Sequence, residues 1–212
     1  DTKDGPFNDC GAFGSPNWLE FDPKYPHLVY VAADRGAGDE NEGNGNMRIL
    51  DLKNQYVGTA LTEGDMGGTN RGRALAFFDE NHMAVAVDQG DELRAAVYGF
   101  TRNREAPEGD ERNYKMWGNR LALVNFKACN TVTFHPVDGD MYFNSWDKGQ
   151  FFKVEKQQIQ EIFDGTRTTP ADKEVLFQMD NGWEYNIRIH PTGNYAYIVS
   201  INKHYIQRTN YD

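Results

Sequence analysis

An apolar residue that ends a short β-rich run recurs in this chain at a nearly constant step. Phe21 closes W-L-E-F before Asp22-Pro23, and Phe77 closes A-L-A-F before Phe78-Asp79. Phe134 closes T-V-T-F before His135-Pro136, and Ile189 closes N-I-R-I before His190-Pro191. The successive steps are 56, 57 and 55 residues. After each turn comes a second run: Val29-Tyr30-Val31, Met83 to Val87, Met141-Tyr142-Phe143 and Tyr195 to Val199. A third follows at Met47 to Leu52, Leu93 to Phe100, Phe151 to Val154 and Tyr205 to Gln207. The clearest copy is Cys129 to Val154, where His135 to Asp140 supply turn chemistry between alternating strands. Strand triplets or quartets repeated at one period define a propeller or a solenoid.

A blade needs an outer strand as well. Tyr56 to Leu61, Leu121 to Phe126 and Glu174 to Met179 fill that place in the first three copies. The steps exceed the roughly 40 to 50 residues of a plain blade, and insertions account for the excess. Asp34 to Asn46 enlarges one loop and Thr101 to Trp117 another. Gln157 to Phe163 reads as one or two helical turns, since Ile159, Ile162 and Phe163 share a face. The expected fold is an all-β propeller, about four blades over residues 1–212, divided near 14–64, 70–127, 128–180 and 182–212. No outer strand follows Tyr205 to Gln207, and Asp1 to Phe7 reads as an inter-blade connection, so the four blades are expected to be part of a six-bladed ring. The four anchors should be equivalent and buried.

Charge narrows the function. Lys and Arg number 22 against 32 Asp and Glu, a net charge of −10, which argues against nucleic-acid and anionic-membrane surfaces. Thirteen Phe, 11 Tyr and 4 Trp suit a β-rich core. No run of 18 apolar residues is present to span a bilayer. Cys10 and Cys129 have no metal-ligand spacing; a disulfide and two separate thiols are both open.

Candidate chemistry is sparse. His135 and His190 occupy the same turn slot as Asp22 and Phe78, so a structural turn role is favoured over metal binding. His27, His82 and His204 lack ligand spacing. The acidic, Gly-rich loop from Asp34 to Asn46 offers oxygen ligands for Ca²⁺ but does not register with an EF-hand; a solvated loop is the alternative. Gly67 to Arg73 lacks the Lys and following helix of a phosphate loop. Ser15, Ser145 and Ser200 sit in no nucleophile elbow. No catalytic residue is assigned.

The channel mouth is more informative. Four residues before each anchor stand Asn17, Arg73, Asn130 and Tyr185, where inner strands would begin. Loops at the same end carry Arg35, Asp88, Gln89, Trp146 and His204, with Arg71 and Trp183 nearby. Aromatic planes beside amides and guanidinium groups recognise sugars or peptides. The candidate ligand-binding set is Asn17, Arg73, Asn130, Trp146 and Tyr185. The tryptophans serve equally well as seals between blades.

The first copy also resembles an NHL repeat, whose blade runs D-G-x-x-x-x-A-x-F, P-x-G-[IL]-x-x-D, [LV]-Y-V-[AS]-D and N-x-[RK]-I. Matching residues are Asp4-Gly5, Phe13, Pro16, Leu19, Val29-Tyr30-Val31, Asp34, Asn46, Arg48 and Ile49. Cys10 falls near the small position, and Trp18 replaces the glycine. The match is diffuse over the other three copies. The resemblance implies kinship with NHL proteins of Bacteroidetes that often carry an IPT/TIG domain and sit on the cell surface as lipoproteins. It implies a non-catalytic module for glycan or peptide capture beside an outer-membrane transporter or companion lipoprotein. A propeller lyase or hydrolase using the same face, or a purely structural interaction protein, are the alternatives.

Overall fold

The computed structural model describes residues 4–8, 16–33, 47–62, 64–67, 71–88, 95–108, 112–126, 129–145, 149–178, 185–200 and 205–210. They form four antiparallel sheets arranged as the blades of a β-propeller. Blade 1 comprises β2 (Pro16–Phe21), β3 (Leu28–Ala33), β4 (Met47–Asp51) and β5 (Tyr56–Leu61), with β1 (Gly5–Pro6) added to the free side of β5. Blade 2 comprises β6 (Arg71–Phe77), β7 (His82–Asp88), β8 (Ala95–Arg102) and β9 (Trp117–Asn125). Blade 3 comprises β10 (Cys129–Phe134), β11 (Met141–Ser145), β12 (Gln150–Val154) and β13 (Glu174–Gln178), with helix α1 (Lys156–Phe163) between the last two. Blade 4 comprises β14 (Tyr185–Ile189), β15 (Tyr195–Ser200) and β16 (Tyr205–Asn210). The first strands β2, β6, β10 and β14 neighbour one another in that order, which makes them the inner strands. Gly5–Pro6 is therefore more than a connection: it pairs with its own blade's outer strand, Gly5 opposite Val57 and Pro6 opposite Tyr56.

The anchors end the four inner strands and are equivalent. Phe77 meets Tyr30 of blade 1 edge-on at 5.4 Å, and Phe134 meets Phe78 of blade 2 at 5.3 Å. Ile189 packs on a cluster containing Phe151 of blade 3. Each thus seals against the blade before it. The expectation of burial is corrected for all four: Phe77, Phe134 and Ile189 are only partly buried, and Phe21 is 55% exposed, because no blade precedes it among the described residues.

The turn after each anchor shows why Asp and His share a slot. Asp22 Oδ1 accepts from the backbone N–H groups of Lys24 and Tyr25. His135 Nδ1 accepts from Val137 and Asp138, and His190 Nδ1 accepts from Thr192. A short side chain with an acceptor two to three bonds from the backbone closes the turn in each case. Nδ1 also lies 2.9 Å from the Asp138 carboxylate, and on the far side of the ring Nε2–H donates to Gly193 O of blade 4 at 2.9 Å. His135 joins two blades and caps its own turn.

Two of the insertions, those between β8 and β9 and between β12 and β13, are straps. The connection between β8 and β9 reaches back to blade 1, where Tyr114 OH donates to Asp51 Oδ2 at 2.7 Å and its ring stacks on Tyr56 at 5.7 Å. Glu105 of the same connection takes the Lys24 ammonium and the Tyr25 hydroxyl. The connection between β12 and β13 reaches back to blade 2. Its helix buries Ile159 and Ile162, and Phe163 lies against Phe78 and His82. Ala171 N–H then donates to Leu123 O at 2.8 Å, and Lys173 Nζ to Asn125 O at 3.2 Å. Both straps lie at the end of the ring where inner strands finish. The opposite end, where they begin, is the mouth.

Candidate functional site at the mouth of the ring

The inner strands are irregular at the same point in three blades. In β2, Pro16 pairs with Ala33 and Trp18 with Ala32, so Asn17 is the extra residue of a β-bulge. In β6, Gly72 pairs with Val87 and Ala74 with Ala86, so the extra residue is Arg73. In β10, Cys129 pairs with Ser145 and Val132 with Phe143, leaving Asn130 and Thr131 opposite Asn144 alone. A bulge adds one residue, bends the strand and re-aims a side chain, and such bulges gather beside active sites. Three of the five sequence-derived candidates, Asn17, Arg73 and Asn130, stand on these bulges. Tyr185 occupies the equivalent position of β14, where pairing with Ser200 runs on without a shift.

Arg73 and Asn130 are half-buried. For Asn17, Tyr185, Arg71 and Asp88 only the backbone is described. Trp146, Trp183, Arg35, Gln89, His204 and the Asp34 to Asn46 loop lie outside the described residues, as does Cys10 and with it the question of a disulfide. The Cys129 thiol is buried and donates to Thr131 O at 3.1 Å. Among the described residues no group of His, Cys, Asp or Glu could hold a metal ion. No helix among them is long and apolar enough to cross a membrane.

Two polar side chains near the bulges went unnoticed in the sequence. Asn144, fully buried, accepts the Thr131 N–H on Oδ1 at 2.9 Å. Arg188 of β14 reaches from the fourth blade to the first. It donates to Glu20 Oε2 at 2.9 Å and to Leu19 O at 3.1 Å, and its guanidinium lies 3.7 Å from the Trp18 ring centroid. Trp18 and Thr131 also carry buried polar atoms, Nε1 and Oγ1, with no hydrogen-bond partner among the described residues. Unsatisfied groups of this kind are rare in folded proteins and concentrate where a site departs from the rules of the core. In sequence Asn144 reads as the start of the turn after Met141-Tyr142-Phe143, whereas it belongs to β11, and Arg188 sits unremarkably in the β14 pattern, so neither gives a signal there.

The fold defines a β-propeller whose inner strands are bulged at one end in three of its blades. No protein-family model matches the chain, and no curated protein matches it. Solved structures do. An auxiliary nutrient binding protein from Bacteroides thetaiotaomicron is 33% identical at a TM-score of 0.74, over 100% of this chain and 42% of its own. An auxiliary nutrient binding protein from Bacteroides ovatus is 27% identical at 0.72, over 100% and 42%. A Bacteroides thetaiotaomicron protein provisionally named a phosphatase is 29% identical at 0.80, over 99% and 46%. The chain thus spans less than half the length of each.

Proposed function

We propose that this chain is a non-catalytic binding module that captures a glycan or peptide nutrient at the outer surface of the cell, with the mouth of the ring as its working face. The observation that carries the reading is the alignment of β-bulges at Asn17, Arg73 and Asn130, on inner strands of three successive blades. Random strand irregularity would scatter along the strands, whereas these fall at one level and one end. Amide and guanidinium groups brought there read hydroxyls and carbonyls. Trp146 and Tyr185 would add the aromatic face against which a sugar ring or a peptide side chain stacks. Likeness to two auxiliary nutrient binding proteins of Bacteroides supports the binding role. Kinship with NHL surface lipoproteins, and service beside an outer-membrane transporter or a companion lipoprotein, belong to the same reading.

The test is binding to an array of neutral and uronate-containing oligosaccharides, with a peptide array in parallel. Arg73→Ala, Asn130→Ala and Trp146→Ala should each weaken the best-bound array member while leaving the melting temperature unchanged. Trp146→Ala should cost about 1 to 3 kcal/mol, the scale of burying one large side chain. A lowered melting temperature with unchanged binding would make Trp146 a packing residue and remove it from the site. A second reading, a hydrolase acting at the same face, has the relative provisionally named a phosphatase in its favour. Turnover of p-nitrophenyl phosphate, abolished by Arg73→Ala, would establish it instead.

A further inference from the structure

The bulge of blade 3 differs from the other two. In blades 1 and 2 the ladder resumes at once, Trp18 pairing with Ala32 and Ala74 with Ala86. In blade 3 the pairing skips from Cys129↔Ser145 to Val132↔Phe143, so Thr131 stays out of the ladder. Its N–H goes instead to the side chain of Asn144, at 2.9 Å. The slot of Asn144 holds alanine in the other two blades, Ala32 and Ala86, and all three positions are fully buried.

We infer that Asn144 is a positioning residue for the mouth: its side-chain oxygen holds the blade 3 bulge open and so determines where Asn130 is presented. The inference rests on Asn130 being part of the binding face. A buried N–H must find an acceptor, because leaving it unpaired costs about as much as a lost hydrogen bond. With alanine opposite, the N–H after the bulge finds its acceptor by rejoining the ladder, as at Trp18 and Ala74. With asparagine opposite, it is satisfied without rejoining, and the two residues Asn130 and Thr131 stay displaced together. The Thr131 hydroxyl, buried without a partner among the described residues, shows that this arrangement does not satisfy every polar atom. A side chain on the facing strand maintains it.

The experiment compares Asn144→Ala, Asn144→Asp and Asn130→Ala in the full chain. Two readouts are used: backbone amide exchange and chemical shifts at residues 130 and 131, and affinity for the oligosaccharide that the unaltered chain binds best on the array. Asn144→Ala should fold, since blades 1 and 2 carry alanine in this slot. It should shift the Asn130 and Thr131 amide resonances and weaken binding by about tenfold, the scale of losing one hydrogen bond to the ligand. Asn144→Asp keeps an oxygen acceptor in place and should bind within about threefold of the unaltered chain. Unchanged affinity of Asn144→Ala, with Asn130→Ala weakened, overturns the positioning role and leaves the binding face standing. Unchanged affinity of Asn130→Ala removes Asn130 from the face, and the inference falls with it. If Asn144→Ala does not fold, Asn144→Asp decides: Thr131 protected and binding retained supports the role, while Thr131 protected and binding lost overturns it.

Discussion

Arg102 of blade 2 places Nη2 at 2.9 Å from both carboxylate oxygens of Asp22 in blade 1, and both side chains are buried. The same guanidinium lies 4.4 Å from the Trp117 ring centroid. Trp117 Nε1–H donates to Tyr30 OH at 2.8 Å, and Tyr30 OH donates to Asp22 Oδ2 at 3.2 Å. Burial first, and the Asp22 charge second, push the Tyr30 hydroxyl well above its ordinary pKa, so it remains a donor. Removing one member of a buried pair strands the other charge. Arg102→Ala should therefore cost about 3 to 5 kcal/mol, measured as a fall in the urea midpoint. A fall no larger than that of an exposed-site control would show that water reaches the pair.

The strap of blade 2 carries a pH dependence. Burial alone would raise the Asp51 carboxyl. Hydrogen bonds from the Asn54 backbone, the Tyr114 hydroxyl and the Asn54 side chain outweigh it, and the folded pKa is lowered. A carboxyl with a lowered folded pKa contributes stability above its unfolded value, about 3.9. That contribution is lost as pH falls from there through the folded pKa. Asp51→Asn should be less stable than the unaltered chain at pH 7 and should lose less on acidification below about pH 4. Parallel acid limbs in chemical denaturation would count against the assignment.

Gly58 of β5 lies beneath Tyr114. A Cβ there would stand 2.3 Å from Tyr114 Cδ2 and 2.7 Å from Cγ, with the ring held by Asp51 and Tyr56. Gly58→Ala should cost about 1 to 3 kcal/mol through overpacking. The loss should shrink in a Tyr114→Ala background, where the clashing ring is gone. Additive costs in the double-mutant cycle would show that the strap does not press on this strand.

Arg188 spans the first and fourth blades, yet its side chain is 48% exposed. Water screens such a pair, so Arg188→Ala should change stability by no more than about 1 kcal/mol. The readout is Trp18: uncovering its ring should raise acrylamide quenching in a variant keeping only that tryptophan. Unaltered quenching would mean that the guanidinium does not cover the ring in solution.

Much of the architecture was legible because it is written locally. The anchors at Phe21, Phe77, Phe134 and Ile189 each end an alternating strand, and in three of the four blades the next residue, Asp22, His135 or His190, is a short acceptor that closes the turn. The helix over Lys156–Phe163 was legible from the spacing of Ile159, Ile162 and Phe163. β9 begins at Trp117, earlier than the Leu121 expected, because Trp117 pairs with Arg102 across the end of the strap. That pairing is invisible until the partner strand is in place. Asn17, Arg73 and Asn130 were reached by counting back from the anchors, but nothing in the residues announced that each bulges.

The sequence by itself determined the repeat: four strand groups at one period, turn residues that close them, and an acidic composition. These follow from alternation, proline, glycine and charge, which act over a few residues. Only the tertiary structure decided that the β8–β9 and β12–β13 insertions bind back to the preceding blade through Tyr114, Glu105 and Phe163. It also decided that Arg102 meets Asp22 and that Asn144 stands opposite Asn130 and Thr131. The reason is the same throughout. A bulge, a buried ion pair and a strap are relations between two segments, and neither segment carries the other's register until the blades have packed.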